Sequence, residues 1–400
     1  MNQLFNESEQ LVYDICRKSF LSLWSYANPL GKNSKELCDI LIVCDPDIII
    51  LSVKDIKISD TGDIATDWKR WRKKAIDGSV KQIYGAERWL SNASYVVRSD
   101  GSSGIKLPDK DQRRIHRIAI ALGDKGKAPL TFGDFGKGFV HVFDKISLKI
   151  VMGELDTVKD FVGYLLAKDE LYRSGKKTLF QGGEEDLLAL YLQEGRKFPD
   201  QYDAFVIDDN LWHGFKNSPV YKAKKQADKI SYCWDRLTEI LCSDILHENL
   251  EFGPNLDESE IAVRTMALES RFGRRLLGKS FIEFYELAGK RKVRSRMALG
   301  DSNVTYVFLC RPHGTDRDYR KAELGNRCIV ARGLNIDRDT VIGLATESYE
   351  DGKGFSFDLL YLHIPILTDD LRKRVEDTQK EFGYFVNPNT LKIHEDEYPE

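Results

Sequence analysis

The sequence predicts an α/β protein, with one α/β unit over about residues 1–150 and a helical, then α/β, region over residues 151–400. Three observations carry this. Two apolar, β-branched runs over residues 38–56 are flanked by segments of helical periodicity. The order helix, strand, strand, helix, strand then accounts for the first 150 residues. Beyond that point helical patterns dominate to residue 287, and strand-like runs return after it.

Taken in order, Val12, Ile15, Cys16, Phe20 and Leu23 fall near helical spacing, which predicts a helix over residues 9–23, closed by Asn28-Pro29 and Gly31. The stretch CDILIVCDPDIIILSVKDI reads as a hairpin turning at Asp45-Pro46. A long helix rich in Lys, Arg and Trp is expected over 65–90, with strands over 114–122 and 139–142 and a Gly-rich stretch between them. Helices are expected over 158–171, 184–192, 223–246 and 258–272. Strands follow over 293–299, 304–310, 341–346 and 355–363, with helices over 318–331 and 369–382. Neither an internal repeat nor a low-complexity tract is visible.

The 400 residues are 42% hydrophobic and 31% charged with a net charge of −3, an ordinary balance for a globular protein. Any nucleic-acid surface must therefore be a local basic patch. The start MNQLFNESEQ lacks a signal-peptide pattern, and no apolar run approaches the 18 or so residues that span a bilayer. Seven scattered cysteines without a CxxC pair argue against a disulfide framework or zinc cluster and for a reducing cytoplasm, with no membrane partner.

A two-residue turn at Asp45-Pro46 makes paired residue numbers sum to 91, so Asp39 lies opposite Ser52, with Lys54 two residues along on the same face. An acid, a hydroxyl and an amine thus converge on a hairpin that is otherwise apolar. Burying a lone Asp or Lys costs several kcal/mol, so these groups are paired or bind something. One reading is an architectural Asp–Lys ion pair. The other is a site, favoured by Glu36 three residues before Asp39 and by Gln82 on the following basic helix.

With these residues the chain resembles the PD-(D/E)XK, or restriction-endonuclease-like, nucleases, in particular their Mrr-like branch of the prokaryotic defence type. The resemblance covers about residues 5–150 and rests on Glu36 and Asp39 at the hairpin entry, Ser52-Val53-Lys54 on the return strand, and Gln82. It implies an α/β/α domain with a mixed central sheet and a Mg²⁺- or Mn²⁺-dependent endonuclease acting on DNA, with RNA as a second substrate. Asp39 and Glu36 match the metal-binding acids and Lys54 matches the lysine that orients the attacking water. A metal is chemically apt, because it polarises a phosphodiester and lowers the pKa of water. Ser52 departs from the pattern, which has Asp or Glu two residues before the lysine. Glu9 or a backbone carbonyl would then complete the metal's ligands. The resemblance further implies a homodimer and leaves open a binding-only effector subunit, for example one docking a short Argonaute as its defence-system partner. The region 151–400 would recognise substrate, regulate or bind a partner.

Lys69, Arg70, Arg72, Lys73 and Lys74 around Trp68 and Trp71, with Lys81 further along, form either a phosphate-contacting surface or a solvated charged face. Gln82 is a site residue or a surface glutamine. Gly273-Arg-Arg-Leu-Leu-Gly278-Lys279-Ser280 matches the P-loop pattern but follows a helical segment, where the mechanism needs a strand and a loop. His116 and His141 fall in strand-like runs and read as core or surface residues. No serine-hydrolase elbow occurs.

Overall fold

The computed structural model describes residues 6–124, 130–247, 256–290, 292–300, 302–354, 356–386 and 395–399. The chain forms two compact units, Met1–Tyr221 and Lys222–Glu400. Both mix helix and strand. The boundary expected near residue 150 falls inside a helix of the first unit, because the helices after it pack on the same sheet as those before it.

The first unit runs α1 (Glu7–Phe20), β1 (Ser25–Ala27), β2 (Ile40–Cys44), β3 (Asp47–Asp55), α2 (Ile64–Arg72), α3 (Gly78–Leu90), β4 (Tyr95–Val97), β5 (Ser103–Lys106), β6 (Arg114–Leu122), β7 (Phe132–Asp134) and β8 (Phe139–Phe143). It continues with α4 (Lys145–Glu154), α5 (Val158–Arg173), β9 (Lys177–Phe180), α6 (Glu184–Gln193), β10 (Ala204–Ile207) and α7 (Leu211–Asn217). Its central sheet is mixed, in the order β1-β2-β3-β6-β8-β7. The β2–β3 hairpin has the expected register, from Ile40 opposite Leu51 to Cys44 opposite Asp47. Beyond it β3, β6 and β8 are parallel neighbours. A parallel pair needs a crossover, and α2–α3 supplies it between β3 and β6.

β2 and almost all of β3 are buried, which suits runs of Ile, Leu and Val covered on both faces. Ser52 donates a hydrogen bond to Gln82 of α3, whereas Asp55, on the alternate face, accepts one from Ser8 of α1 at 2.5 Å. Helices therefore cover both sides, α3 on one and α1 on the other. Phe143 of β8 packs with Phe161 of α5, and Phe161 in turn with Phe20 of α1.

α1 starts at a capping box made by Asn6 and Glu9 and stops at Phe20, three residues short of expectation, where Leu21 turns to a φ of 67°. The long basic helix expected over 65–90 is present as α2 and α3, joined by a π-helical segment, Lys73–Asp77.

The division falls within α8 (Pro219–Ala227), and the second unit continues with a 3₁₀ turn (Asp228–Ser231), α9 (Tyr232–Leu246), α10 (Leu256–Ala267) and α11 (Arg271–Gly289). A sheet follows, built from β11 (Ser295–Leu299), β12 (Val304–Arg311), β13 (Thr340–Glu347) and β14 (Phe357–His363) in that order. α12 (Arg317–Leu334) crosses between the parallel strands β12 and β13, and α13 (Asp369–Phe382) packs on α12. The core joins Val307 and Leu309 to Leu324, Cys328 and Ala331 of α12, with Val341 and Ala345 of β13. Among the described residues no helix is long and apolar enough to cross a membrane. All seven cysteines are free.

Candidate nuclease-type site on the hairpin

Asp39 stands one residue before β2 and is 3% exposed. Its Oδ2 accepts a hydrogen bond from the Val53 amide at 2.5 Å, so the carboxylate is held against the return strand between Ser52 and Lys54. A buried backbone N–H needs an acceptor, and here a charged side chain supplies it. Glu36 reaches the same place from the loop before β2, anchored by an isolated bridge between Leu30 and Glu36. Partial withdrawal of its carboxyl from water raises its affinity for a proton, and the charge of Asp39, a shared hydrogen bond with Asp39, and Glu9 push further in that direction. Lys54 acts against them. Two carboxylates that repel one another and share a hydrogen bond are a place where a cation is favoured.

Lys54 is half-buried at the end of β3 and has no hydrogen-bond or ion-pair partner among the described residues. The architectural Asp39–Lys54 ion pair, the alternative reading of the hairpin, is not formed. Ser52 is fully buried and donates to Gln82 Oε1 at 2.9 Å, which joins β3 to α3. Gln82 therefore faces the hairpin and is not a surface residue. Glu9 is close enough for its charge to act on Glu36, yet both of its oxygens serve the α1 cap, accepting from the Asn6 amide at 3.2 Å and from Asn6 Nδ2 at 2.7 Å. Among the described residues no three His, Cys, Asp or Glu side chains are gathered closely enough to hold a metal on their own. The donor set at the hairpin is thus two carboxylates, and Mg²⁺ is commonly held by one or two carboxylates with waters filling the rest.

Lys69, Arg70, Arg72, Lys73, Lys74 and Lys81 are all exposed, and none has a close acidic partner among the described residues. Trp71, by contrast, is buried, stacks on Trp68 with ring centroids 5.1 Å apart, and donates to the Ile56 carbonyl at 2.6 Å. The aromatic side of this helix is core, and the basic side faces water.

A cavity one strand away from Lys54 has no signature in the sequence. About 300 Å³ of space adjoins Ala121, the register partner of Lys54, and is closed by Trp71, Val142, Asp144 and residues 181–185. Glu185 there is raised above the usual carboxylate range, first by burial, with Asp186, Asp144 and Glu184 adding to it. Asp144 caps α4 and Glu184 is bound by Lys168, roles that need the tertiary contacts to be seen.

The P-loop-like stretch is helical. Gly273–Ser280 lies within α11, behind an N-cap at Ser270 and without a preceding strand. Arg274 and Arg275 are buried, with Arg274 bound to Asp235 at 2.7 Å, and Lys279 pairs with Glu395. A Cβ on Gly278 would come 2.9 Å from the Ile230 carbonyl, so that glycine is required by close helix packing. The amides are spent in the helix and cannot cradle phosphate. His116 is buried against Asp47 at 2.8 Å, and His141 is buried without a partner for Nδ1; neither is near the hairpin acids in sequence register.

No protein-family model matches the chain, and no curated protein or solved structure matches it either.

Proposed function

We propose that the protein is a metal-dependent nuclease of the PD-(D/E)XK type that hydrolyses phosphodiester bonds of DNA, with RNA as a second candidate substrate, and that it acts in prokaryotic defence. The observation that carries the proposal is the meeting of Asp39 and Glu36, at the open end of one hairpin, with a Lys54 that makes no ion pair or hydrogen bond among the described residues. In this reading Asp39 and Glu36 would hold Mg²⁺ or Mn²⁺, which when bound would polarise the phosphodiester and acidify a water. Lys54 orients the attacking water and offsets the charge that builds on the phosphate oxygens. The attacking water gives one proton to solvent as its oxygen bonds to phosphorus, one P–O ester bond breaks, and the leaving oxygen takes a proton from solvent. The Ser52–Gln82 hydrogen bond positions α3 against the strand that carries Lys54. Lys69, Arg70, Arg72, Lys73, Lys74 and Lys81 contact phosphates on either side.

One observation favours a second reading. The Ser52 hydroxyl is committed to Gln82 and Glu9 to the helix cap, so the site has two carboxylates, Asp39 and Glu36, where the pattern usually supplies three. A nucleic-acid-binding effector activated by a partner protein, or by dimerisation, would need no more. Incubation of the pure protein with plasmid, single-stranded DNA and RNA, with and without Mg²⁺ or Mn²⁺, separates the two. Metal-dependent products support the nuclease. Binding without cleavage under every condition supports the effector.

A further inference from the structure

A groove of about 450 Å³ lies on the outer side of α3, between that helix and the β7–β8 turn. Along one face of α3 it meets Lys81, Tyr84, Gly85 and Arg88, which recur at helical spacing, and Phe135 and Lys137 close it from the turn. Gly85 presents no side chain, which leaves the middle of the groove open. Lys81, Arg88 and Lys137 are exposed and have no carboxylate partner among the described residues.

The nearby acids are otherwise engaged. Glu87 binds Arg117 through Nε at 2.7 Å, and Asp134 accepts the amides of Gly136 and Gly138 at 2.7 and 3.0 Å. Asp77, at one end, is the one acid in the lining. The groove is also held in shape. The Tyr84 hydroxyl donates to the Gly138 carbonyl at 2.7 Å and accepts from the Lys137 amide at 3.4 Å. The turn passes Gly136 and Gly138 at φ of 107° and 114°, and a Cβ at Gly138 would press on the Arg117 guanidinium.

Three unpaired cations with two aromatic rings in one preformed groove match what single-stranded nucleic acid requires: charge for the backbone and flat surfaces for unstacked bases. A duplex offers phosphates to the cations but keeps its bases stacked away from the rings. Lys81 also directly precedes Gln82, which accepts from Ser52 of β3, so one helix carries both the groove and a contact to the hairpin.

We propose that this groove holds a short single-stranded segment of nucleic acid, with Lys81, Arg88 and Lys137 on its phosphates and Tyr84 and Phe135 against its bases. The assignment deepens the nuclease reading and rests on it for the position of the scissile phosphate. It selects substrates that carry an unpaired stretch next to the cut.

The test is fluorescence anisotropy of the full chain in EDTA with labelled oligothymidylate of about 12 nucleotides, a length within common single-strand site sizes, and with a duplex of equal length. Phe135→Ala weakens binding of the single strand about 5- to 150-fold, the range for loss of one base–ring stack, and leaves the duplex unchanged. Arg88→Ala/Lys137→Ala weakens it too and makes its salt dependence shallower by about 0.7 per cation removed. Both residues of the double variant lie at the surface, so it reports even if Phe135→Ala unfolds. Unchanged single-strand binding in the double variant, equal losses on both ligands, or displacement by polyglutamate as readily as by oligothymidylate overturns the proposal. Binding with these losses but no metal-dependent cleavage leaves the groove standing and removes the nuclease. Cleavage with no loss in the variants does the reverse.

Discussion

Replacing Asp39 in two ways separates its structural role from its chemical one. The carboxylate is 3% exposed and accepts the Val53 amide at 2.5 Å. Asp39→Ala leaves that buried N–H without an acceptor, which costs about 1–3 kcal/mol. In a unit the size of Met1–Tyr221, this lowers the melting temperature by about 2–12 °C, at roughly 2–4 °C per kcal/mol. Asp39→Asn keeps a carbonyl oxygen on the same amide, so its stability stays within about 1 kcal/mol of wild type. It removes the negative charge, however, and with it several kcal/mol of metal-borne stabilisation, so cleavage falls by about 100-fold or more. Thermal unfolding and plasmid cleavage in Mg²⁺, measured on both variants, give the two answers separately. A folded Asp39→Asn protein that cuts at the wild-type rate refutes the reasoning, as does an Asp39→Ala protein as stable as wild type.

Other outcomes follow from the same geometry. Lys69→Ala/Lys73→Ala leaves the fold intact and weakens duplex binding, with the slope of log affinity against log salt shallower by about 0.9 per lysine; titration at several salt concentrations measures it. Lys279→Ala changes no nucleotide binding by calorimetry and alters stability by no more than about 1 kcal/mol, because it removes one partly exposed ion pair from a helix. His141 is held neutral by burial, with the charges of Lys168, His116 and Arg117 adding to the effect, so it protonates well below 6.5 in the folded state. The unfolded chain binds that proton near pH 6.5. The associated stability is therefore complete above that pH and declines as pH falls below it, by up to about 1.4 kcal/mol per unit. Denaturant unfolding between pH 7.5 and 5 shows a shallower decline in His141→Gln.

How much of this was legible depends on how local each feature is. The hairpin register, from Ile40 opposite Leu51 to Cys44 opposite Asp47, follows from the turn and the alternation of side chains. The strand Arg114–Leu122 and the helix Asp369–Phe382 have the bounds that their apolar patterns indicate. The strands β1, β4, β5 and β7 have three or four residues each, too few for alternation to show. α4 was hidden for another reason. It is apolar on more than one side, with Leu148, Val151 and Met152 buried, and it straddles the composition change that suggested a boundary. The roles of Gln82 and Glu9 depended on neighbours distant in sequence. Gln82 reaches Ser52 across 30 residues, and Glu9 is drawn back to its own helix cap. The P-loop-like stretch misleads because a pattern of residue types does not record whether backbone amides are free, and in α11 they are not.

Lys54 and the Asp39–Glu36 pair are proposed to form one hydrolytic site. The most direct measurement is conversion of supercoiled plasmid to nicked and linear forms by wild type and Lys54→Ala, each with Mg²⁺, Mn²⁺ or EDTA. Lys54 is half-buried and unpaired, so its replacement leaves the fold and the melting temperature essentially unchanged. Such a site gives metal-dependent cutting by wild type and its loss in the variant. Equal cutting by a folded Lys54→Ala protein, or wild-type cutting that persists in EDTA, contradicts it.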